Sequence, residues 1–287
     1  PGQWKALYEI IEEENQQGAR IWTQVHSREI NSILSFETAT PFDNWDVWKE
    51  FRALPIEEQL HKLKTDPALK QKLIDIADKP YEGPEIVGAE ARPPEWDMFY
   101  YMDKIRLPHP SVAEIGRERG LSPAAAMIEL AIENDFKAFF RQPLANENQD
   151  DALALMKHPR STVTFSDSGA HVSQIMDSSL QTHLLSHWVR EREAFTLEEA
   201  VRMITYETST NWGFHDRGLL REGLTADITV FNPDTVEPRM PEVVHDLPSG
   251  SKRLKQYADG MLATVVAGQV VLKENEHTGA LPGQLLR

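Results

Sequence analysis

An apolar, β-branched run that ends in a Ser-Asp-Ser-Gly sequence constrains this chain more than any other feature. The run extends from Thr162 to Phe165, and Asp167 and Gly169 follow it within four residues. The pattern predicts a buried strand whose carboxyl end presents an aspartate on a glycine-containing loop. In β/α barrels the catalytic groups lie at this end of the strands. The pattern therefore predicts a hydrolase that uses this aspartate.

The charge and composition of the chain exclude several classes of partner. The formal net charge of the 287 residues is −15. Nucleic acids and anionic membranes are bound through clustered Lys and Arg, so we expect no nucleic acid, no membrane and a small-molecule substrate. The chain has no cysteine, so a bound metal would need His and carboxylate ligands. This composition is compatible with a cytoplasmic protein, and it leaves a homo-oligomer open.

Helical and strand patterns alternate along much of the chain. Helices are predicted over residues 4–17, 112–119, 123–133, 148–157 and 197–204, and strands over 19–25, 137–141 and the run before Asp167. This alternation favours an α/β protein with a parallel sheet or barrel. Between about residues 36 and 110 the pattern breaks into short helices and Pro-rich loops, which predicts a lid-like insertion or a linker.

The last quarter of the chain has a different character. A strand is predicted over residues 226–231, and a hairpin over 264–272 with a tight turn at Ala267-Gly268. We therefore predict two domains. The first, 1–212, is the barrel part with its insertion at about 36–110, and the second, 213–287, is a small β module.

Four segments carry a resemblance to a known family. They are residues 165–171, 196–205, 216–218 with 222–233, and 278–283. In order and spacing they resemble the C-terminal half of metal-dependent amidohydrolases, and most closely the N-acyl-D-amino-acid deacylase (D-aminoacylase) group. The resemblance covers residues 161–287 well and 1–160 loosely. It implies the C-terminal part of a (β/α)8 TIM-like barrel with one or two zinc ions, plus a small β-sandwich module.

The resemblance also implies that this chain is a fragment. The first metal motif of the family, His-x-His, does not occur among the ten histidines of the chain. We therefore expect barrel strands six to eight and most of the β module here, and most zinc ligands outside this chain. The chain by itself is expected to be inactive.

The resemblance, together with the chemistry of the side chains, gives candidate roles to individual residues. Asp167 would contact the metal and accept a proton from the metal-bound water, and the alternative is a carboxylate that caps its own turn. His171 would orient Asp167 or touch the substrate, or else be an exposed histidine without a role. His26, at the end of a predicted strand, is a candidate metal ligand. Arg28 is a candidate partner for a substrate carboxylate, and its alternative is a surface salt bridge.

Two further histidines have the spacing of a zinc-binding pair. His183 and His187 are four residues apart, but the residues between them lack the glutamate that serves as base in the corresponding protease motif. We interpret this pair as structural or surface residues.

The sequence thus predicts a zinc-dependent hydrolase of the amide bond of N-acyl-(D-)amino acids, with zinc-activated water as nucleophile. One alternative is a cyclic-amide hydrolase or deaminase built on the same barrel, because a fold does not fix a substrate. Another is a non-catalytic, truncated half barrel.

Overall fold

The computed structural model describes residues 2–80, 93–164, 166, 168–169, 171–174 and 177–286. Asp167 therefore lies outside the described residues. Within them the chain has a mixed α/β fold. The helices are α1 (Trp4–Gln16), α2 (Asp46–Arg52), α3 (Ile56–Thr65), α4 (Pro67–Ala77), α5 (Val112–Arg119), α6 (Pro123–Glu133), α7 (Gln149–Lys157), α8 (Leu180–His183), α9 (Leu197–Arg202) and α10 (Thr208–Asn211). The backbone is π-helical over Leu184–Glu191 and Met203–Glu207, which extend α8 and α9.

The strands fall into two groups along the chain. The first group is β1 (Thr23–Val25), β2 (Ile30–Leu34), β3 (Tyr100–Met102), β4 (Phe139–Ala145) and β5 (Ser161–Val163). The second is β6 (Ile228–Phe231), β7 (Glu237–Pro238), β8 (Glu242–Val244), β9 (Arg253–Lys255), β10 (Ala258–Asp259), β11 (Met261–Val266), β12 (Gln269–Lys273) and β13 (Glu276–His277).

β1 and β5 form a parallel pair. Val25 is in register with Val163, and the Thr164 amide donates to the Val25 carbonyl over 3.3 Å. Both valines are buried in a core that includes Trp188. The predicted strand over 19–25 is confirmed only at its end, since residues 19–22 form a loop between α1 and β1. The carboxyl ends of this pair are where the predicted site residues should meet.

β4 belongs to an antiparallel sheet and not to the parallel pair. It lies between β2 and β3 and is antiparallel to both, with Arg141 opposite Ile33 and Tyr100. The expected strand at 137–141 therefore exists, but it begins at Phe139 and belongs to an antiparallel sheet. Its direction depends on strands that are distant in the sequence, so local pattern could not reveal it.

Helices α2 to α6 pack against this antiparallel sheet. Their core contains fully buried aromatic side chains, among them Phe42, Trp48, Phe99 and Phe140. α5 begins where the sequence signals a helix start: Ser111 and Glu114 form a reciprocal capping box. The short helices expected within 36–110 are confirmed by α2, α3 and α4.

The C-terminal strands form small antiparallel sheets. The largest has the order β13-β12-β11-β6, and the other two pair β7 with β10 and β8 with β9. The hairpin of β11 and β12 turns at Ala267 and Gly268, whose φ angles are 46° and 78°. Two consecutive positive φ values are typical of the turn that matches the twist of a hairpin, so the predicted hairpin is confirmed. No helix among the described residues is long and apolar enough to cross a bilayer.

Candidate active site

His26 lies at the carboxyl end of β1, directly after the residue that pairs with β5. Its residue exposure is 3%. Its Nδ1 atom lies 3.0 Å from the carbonyl oxygen and 3.1 Å from the amide nitrogen of Arg28. A histidine that ligates a metal usually has its other ring nitrogen held by such a backbone partner. The backbone of Arg28 thus holds the Nδ1 side of the imidazole, and the tautomer of the ring decides whether the carbonyl or the amide is the partner.

Arg28 points from the same loop toward the segment that follows β5. Its Nη1 donates to the Ser179 hydroxyl over 2.6 Å. Ser179 ends a short 3-10 turn, Asp177–Ser179, which leads into α8. Arg28 therefore joins the loop after β1 to the chain that follows the Ser-Asp-Ser-Gly sequence. This contact is partly buried.

The structure describes the other two predicted site residues only in part. His171 is exposed, and its carbonyl accepts from the Gln174 amide over 2.9 Å. Asp167 lies outside the described residues. The described residues thus place His26 and Arg28 directly after β1. This strand pairs with β5, which precedes Asp167 in the sequence.

A buried ion pair beside Arg28 escaped the sequence analysis. The Arg141 guanidinium on β4 contacts the Glu29 carboxylate, and the two side chains are 5% and 11% exposed. Arg141 also stacks on the Tyr100 ring, with 4.2 Å from its guanidinium carbon to the ring centre. Burial raises the pKa of Glu29, and the charges of Arg141 and Arg28 oppose that shift. The sequence feature that could have revealed this ion pair is Arg141, a charged residue directly after the apolar Phe139-Phe140.

His109 completes this buried cluster as a neutral imidazole. Arg141 Nε donates to its Nδ1 over 2.8 Å, so Nε2 carries the proton and donates to the Lys104 carbonyl over 2.8 Å. Burial, and next the charge of Arg141, lower the pKa of His109 to about 4. Both ring nitrogens are engaged, so His109 supports Arg141 and has no nitrogen left for a ligand.

A small cavity lies among these charged groups. Its volume is about 20 Å³, and it is lined in part by Arg28, Glu29, Arg141, Gln149 and His183. Gln149 Oε1 and His183 Nε2 are buried without a hydrogen-bond partner. Burial lowers the pKa of His183 well below its usual value, with Arg28 acting in the same direction. The volume suits about one water molecule and excludes a substrate.

Two larger cavities lie away from His26 and Arg28. One of about 590 Å³ is lined by Trp22 and Ser161, at the amino-terminal ends of β1 and β5. Another of about 950 Å³ lies between the extension of α8 and strand β6, where Leu185 and Ile228 line it. Catalytic groups in β/α folds lie at the opposite strand ends from the first cavity. Size alone therefore does not locate the site in this chain.

The described residues do not by themselves form a metal centre. Among them, no group of three or more His, Asp or Glu side chains is placed to hold an ion. His183 and His187 stack with 4.9 Å between ring centres, and the His187 Nδ1 atom lies 3.1 Å from a Glu191 carboxylate oxygen.

Comparison with known proteins identifies the family. Residues 101–272 match the model of the amidohydrolase family. This match covers more than half of the chain, and the chain belongs to that family.

Curated relatives narrow the resemblance within the family. The chain is 31% identical over 168 residues to N-acyl-D-aspartate deacylase of Alcaligenes xylosoxydans xylosoxydans, a match that covers 58% of this chain and 28% of the relative. It is 32% identical over 157 residues to N-acyl-D-glutamate deacylase of the same organism, covering 47% of this chain and 28% of the relative. The chain thus spans less than a third of the length of these relatives.

Solved structures give weaker similarities. A crystal structure of N-acyl-D-glutamate deacylase from Bordetella bronchiseptica, complexed with zinc and a phosphonate inhibitor, matches with a TM-score of 0.46 and 19% identity, over 94% of this chain and 43% of that one. A D-aminoacylase structure concerned with a binuclear metal centre matches with a TM-score of 0.39 and 22% identity, over 63% and 36% of the two chains.

Proposed function

We propose that this chain is part of a metal-dependent enzyme that hydrolyses the amide bond of N-acyl-(D-)amino acids. The observation that carries the proposal is the place of His26 and Arg28. Both follow β1 at the carboxyl end of a parallel strand pair, and β5, the other strand of the pair, leads into the Ser-Asp-Ser-Gly sequence. The names of the two curated relatives, both deacylases of N-acylated acidic D-amino acids, support the choice of substrate class.

The proposed architecture follows from the same observations. The parallel pair β1 and β5 would be part of a (β/α)8 barrel within residues 1–212, with an insertion at about 36–110. Residues 213–287 would form the β module. The parallel register of β1 and β5 supports the barrel part of this proposal, and the antiparallel sheet formed by β2, β3 and β4 would be an elaboration on it.

The proposed site residues divide the chemistry among them. His26 would hold zinc through Nε2, together with Asp167 and ligands outside the described residues. When bound, zinc supplies the acidity that makes a water molecule a competent nucleophile at neutral pH. Asp167 would take up a proton and release it to the amine that leaves, and His171 would contact the substrate. Arg28 would bind the substrate carboxylate.

Arg28 suits this last role because of its charge and shape. The net charge of −15 repels an anionic substrate at long range, so a local cation must overcome that field. A planar guanidinium holds both oxygens of a carboxylate in fixed geometry, which an ammonium group does not. The Ser179 hydroxyl accepts from Nη1 and so helps to orient the guanidinium.

The metal and proton roles are tested together in the complete protein that carries this chain. We expect hydrolysis of an N-acetyl-D-amino acid to stop when zinc is removed by a chelator and to return when zinc is added. Asp167→Asn should lower kcat by orders of magnitude, because an amide does not accept a proton from water. Full activity of the chelated protein, or of the Asn variant, would contradict the proposal. A protein that neither binds zinc nor hydrolyses substrate would favour the non-catalytic alternative.

The substrate role of Arg28 is tested with Arg28→Met. Met keeps much of the apolar stem and removes the charge and the donors. We expect kcat/KM for the N-acetyl-D-amino acid to fall roughly tenfold to a few hundredfold, since a charged hydrogen bond contributes about 1.5–3 kcal/mol. For an N-acetyl amine without the carboxylate, kcat/KM of the variant should be close to that of the parent protein. Arg239→Met, on an exposed arginine paired with Asp259 in the β module, is the matched control. Equal losses on both substrates would refute the carboxylate role.

A further inference from the structure

The loop between β1 and β2 has four residues, 26–29, and the backbone carbonyls of its first three are held by side chains from elsewhere in the chain. These three residues are His26, Ser27 and Arg28. The Asn146 side-chain amide donates to the carbonyls of His26 and Arg28 over 3.1 and 3.2 Å. The Trp188 indole donates to the Ser27 carbonyl over 2.5 Å. Buried carbonyls need such partners, and His26 and Ser27 are 3% and 0% exposed.

Asn146 is the one of these two donors that joins both candidate site residues. A single NH2 group bridges the carbonyls on either side of Ser27, which fixes the distance between them and the direction of the peptide groups. Because His26 Nδ1 contacts the backbone of Arg28, the same bridge also controls the orientation of the imidazole ring. The bridge thus acts on the ring of one site residue and on the backbone of the other.

The backbone around Asn146 is well suited to carry this group. It follows β4, which ends at Ala145, and it precedes α7, whose first turn is capped by the Asn148 side chain. Its φ of 66° lies in the left-handed region, which Gly and Asn tolerate best among the residues. Two rigid elements therefore hold the Asn146 amide in place, and a change of its side chain is felt mainly by the loop.

We infer that Asn146 is a positioning residue that fixes the loop of His26, Ser27 and Arg28, and through it the geometry of the candidate active site. Its importance for catalysis rests on the proposed function, which places His26 and Arg28 in that site. A competing explanation is that Asn146 is present only because its backbone needs a positive φ. The two explanations differ in what glycine does at this position.

Asn146→Gly separates them, because glycine adopts a positive φ without strain but has no side-chain donor. We expect the variant to fold with a melting temperature close to that of the parent, while amide hydrogen exchange of the peptide containing Ser27 and Arg28 becomes at least about tenfold faster. We also expect kcat/KM for the N-acetyl-D-amino acid to fall at least about tenfold, since small displacements of reacting groups are costly. Asn146→Asp, which keeps the shape but loses both donors, should show the same loop effect.

Asn275→Gly is the matched control. Asn275 has a φ of 67° and its side-chain amide donates to the Ala258 carbonyl over 2.8 Å, in the β module. It should leave exchange in the loop and kcat/KM unchanged. Unchanged loop exchange in both Asn146 variants would overturn the inference. Faster loop exchange with unaltered kcat/KM would uphold the positioning of the loop by Asn146 and would instead show that the proposed roles of His26 and Arg28 are wrong.

Discussion

Removal of Arg141 should expose the energetic role of the buried ion pair beside the candidate site. Arg141 and Glu29 are 5% and 11% exposed. Arg141→Met fills a similar volume but leaves the Glu29 carboxylate buried without its main countercharge. Breaking a buried pair in this way costs about 3–5 kcal/mol. Since domains are stable by only about 5–15 kcal/mol, this loss is large but measurable.

Neutralising Glu29 in the same chain should recover part of the loss. In the double variant Arg141→Met, Glu29→Gln, no uncompensated charge remains. The remaining loss in the free energy of unfolding comes from the missing hydrogen bond to His109 and the missing stacking on the Tyr100 ring. A hydrogen bond contributes about 1 kcal/mol and a partly buried cation over a ring a similar amount. We therefore expect the double variant to be about 2 kcal/mol more stable than Arg141→Met alone.

The pH dependence gives an independent check on the same reasoning. Burial raises the pKa of Glu29, so its stabilising, protonated form is present at low pH and is lost as the pH rises through the folded-state pKa. Without Arg141 the pKa of Glu29 should rise further. The loss in the free energy of unfolding caused by Arg141→Met should therefore be smaller at pH 5 than at pH 7. Urea unfolding followed by tryptophan fluorescence measures each free energy. If Glu29→Gln leaves the deficit of Arg141→Met unchanged, the loss comes from packing, and the buried-charge argument is refuted. If the Met variant does not fold, Arg141→Lys, which keeps the charge, replaces it in these measurements.

Two further predictions concern stability. Because burial lowers the pKa of His109 to about 4, below the unfolded value, its neutral form stabilises the fold above pH 6.5, and this contribution is lost as the pH falls toward 4. The loss should reach about 2–3 kcal/mol, and urea unfolding of His109→Gln should show a shallower pH dependence than that of the parent between these values. Gly260→Ala should destabilise the β module by several kcal/mol, because φ is 70° and a Cβ atom would lie 2.5 Å from the Val236 amide nitrogen. Gly223→Ala, at φ 86° with open space around it, should cost only about 1 kcal/mol, and equal melting temperatures of the two variants would contradict this assignment.

The features that the sequence determined by itself are local ones. The boundaries of α5 and α6 follow from their caps and from the apolar residues that recur at helical spacing, all within about a dozen residues. The turn at Ala267 and Gly268 likewise depends on the conformations that two adjacent residues tolerate. The family motifs are also contiguous segments, so the family of the chain could be predicted from the sequence.

The candidate site could be predicted only in part, for the same reason. His26 and Arg28 were proposed because they follow a predicted strand, which is a local feature. Their supporting groups were not, because Asn146 lies 118 residues from Arg28 and Arg141 lies 112 residues from Glu29. No periodicity or motif links such positions.

Tertiary structure decided which distant groups meet. The antiparallel pairing of β2 with β4 carries Arg141 to the Glu29 carboxylate and places Asn146 over the loop of His26, Ser27 and Arg28. A buried charge or carbonyl strongly favours a fold that supplies its partner, because a polar group left unpaired in the interior costs several kcal/mol. That requirement acts on the folded chain as a whole, so the partners of the site residues become visible only when the strands are paired.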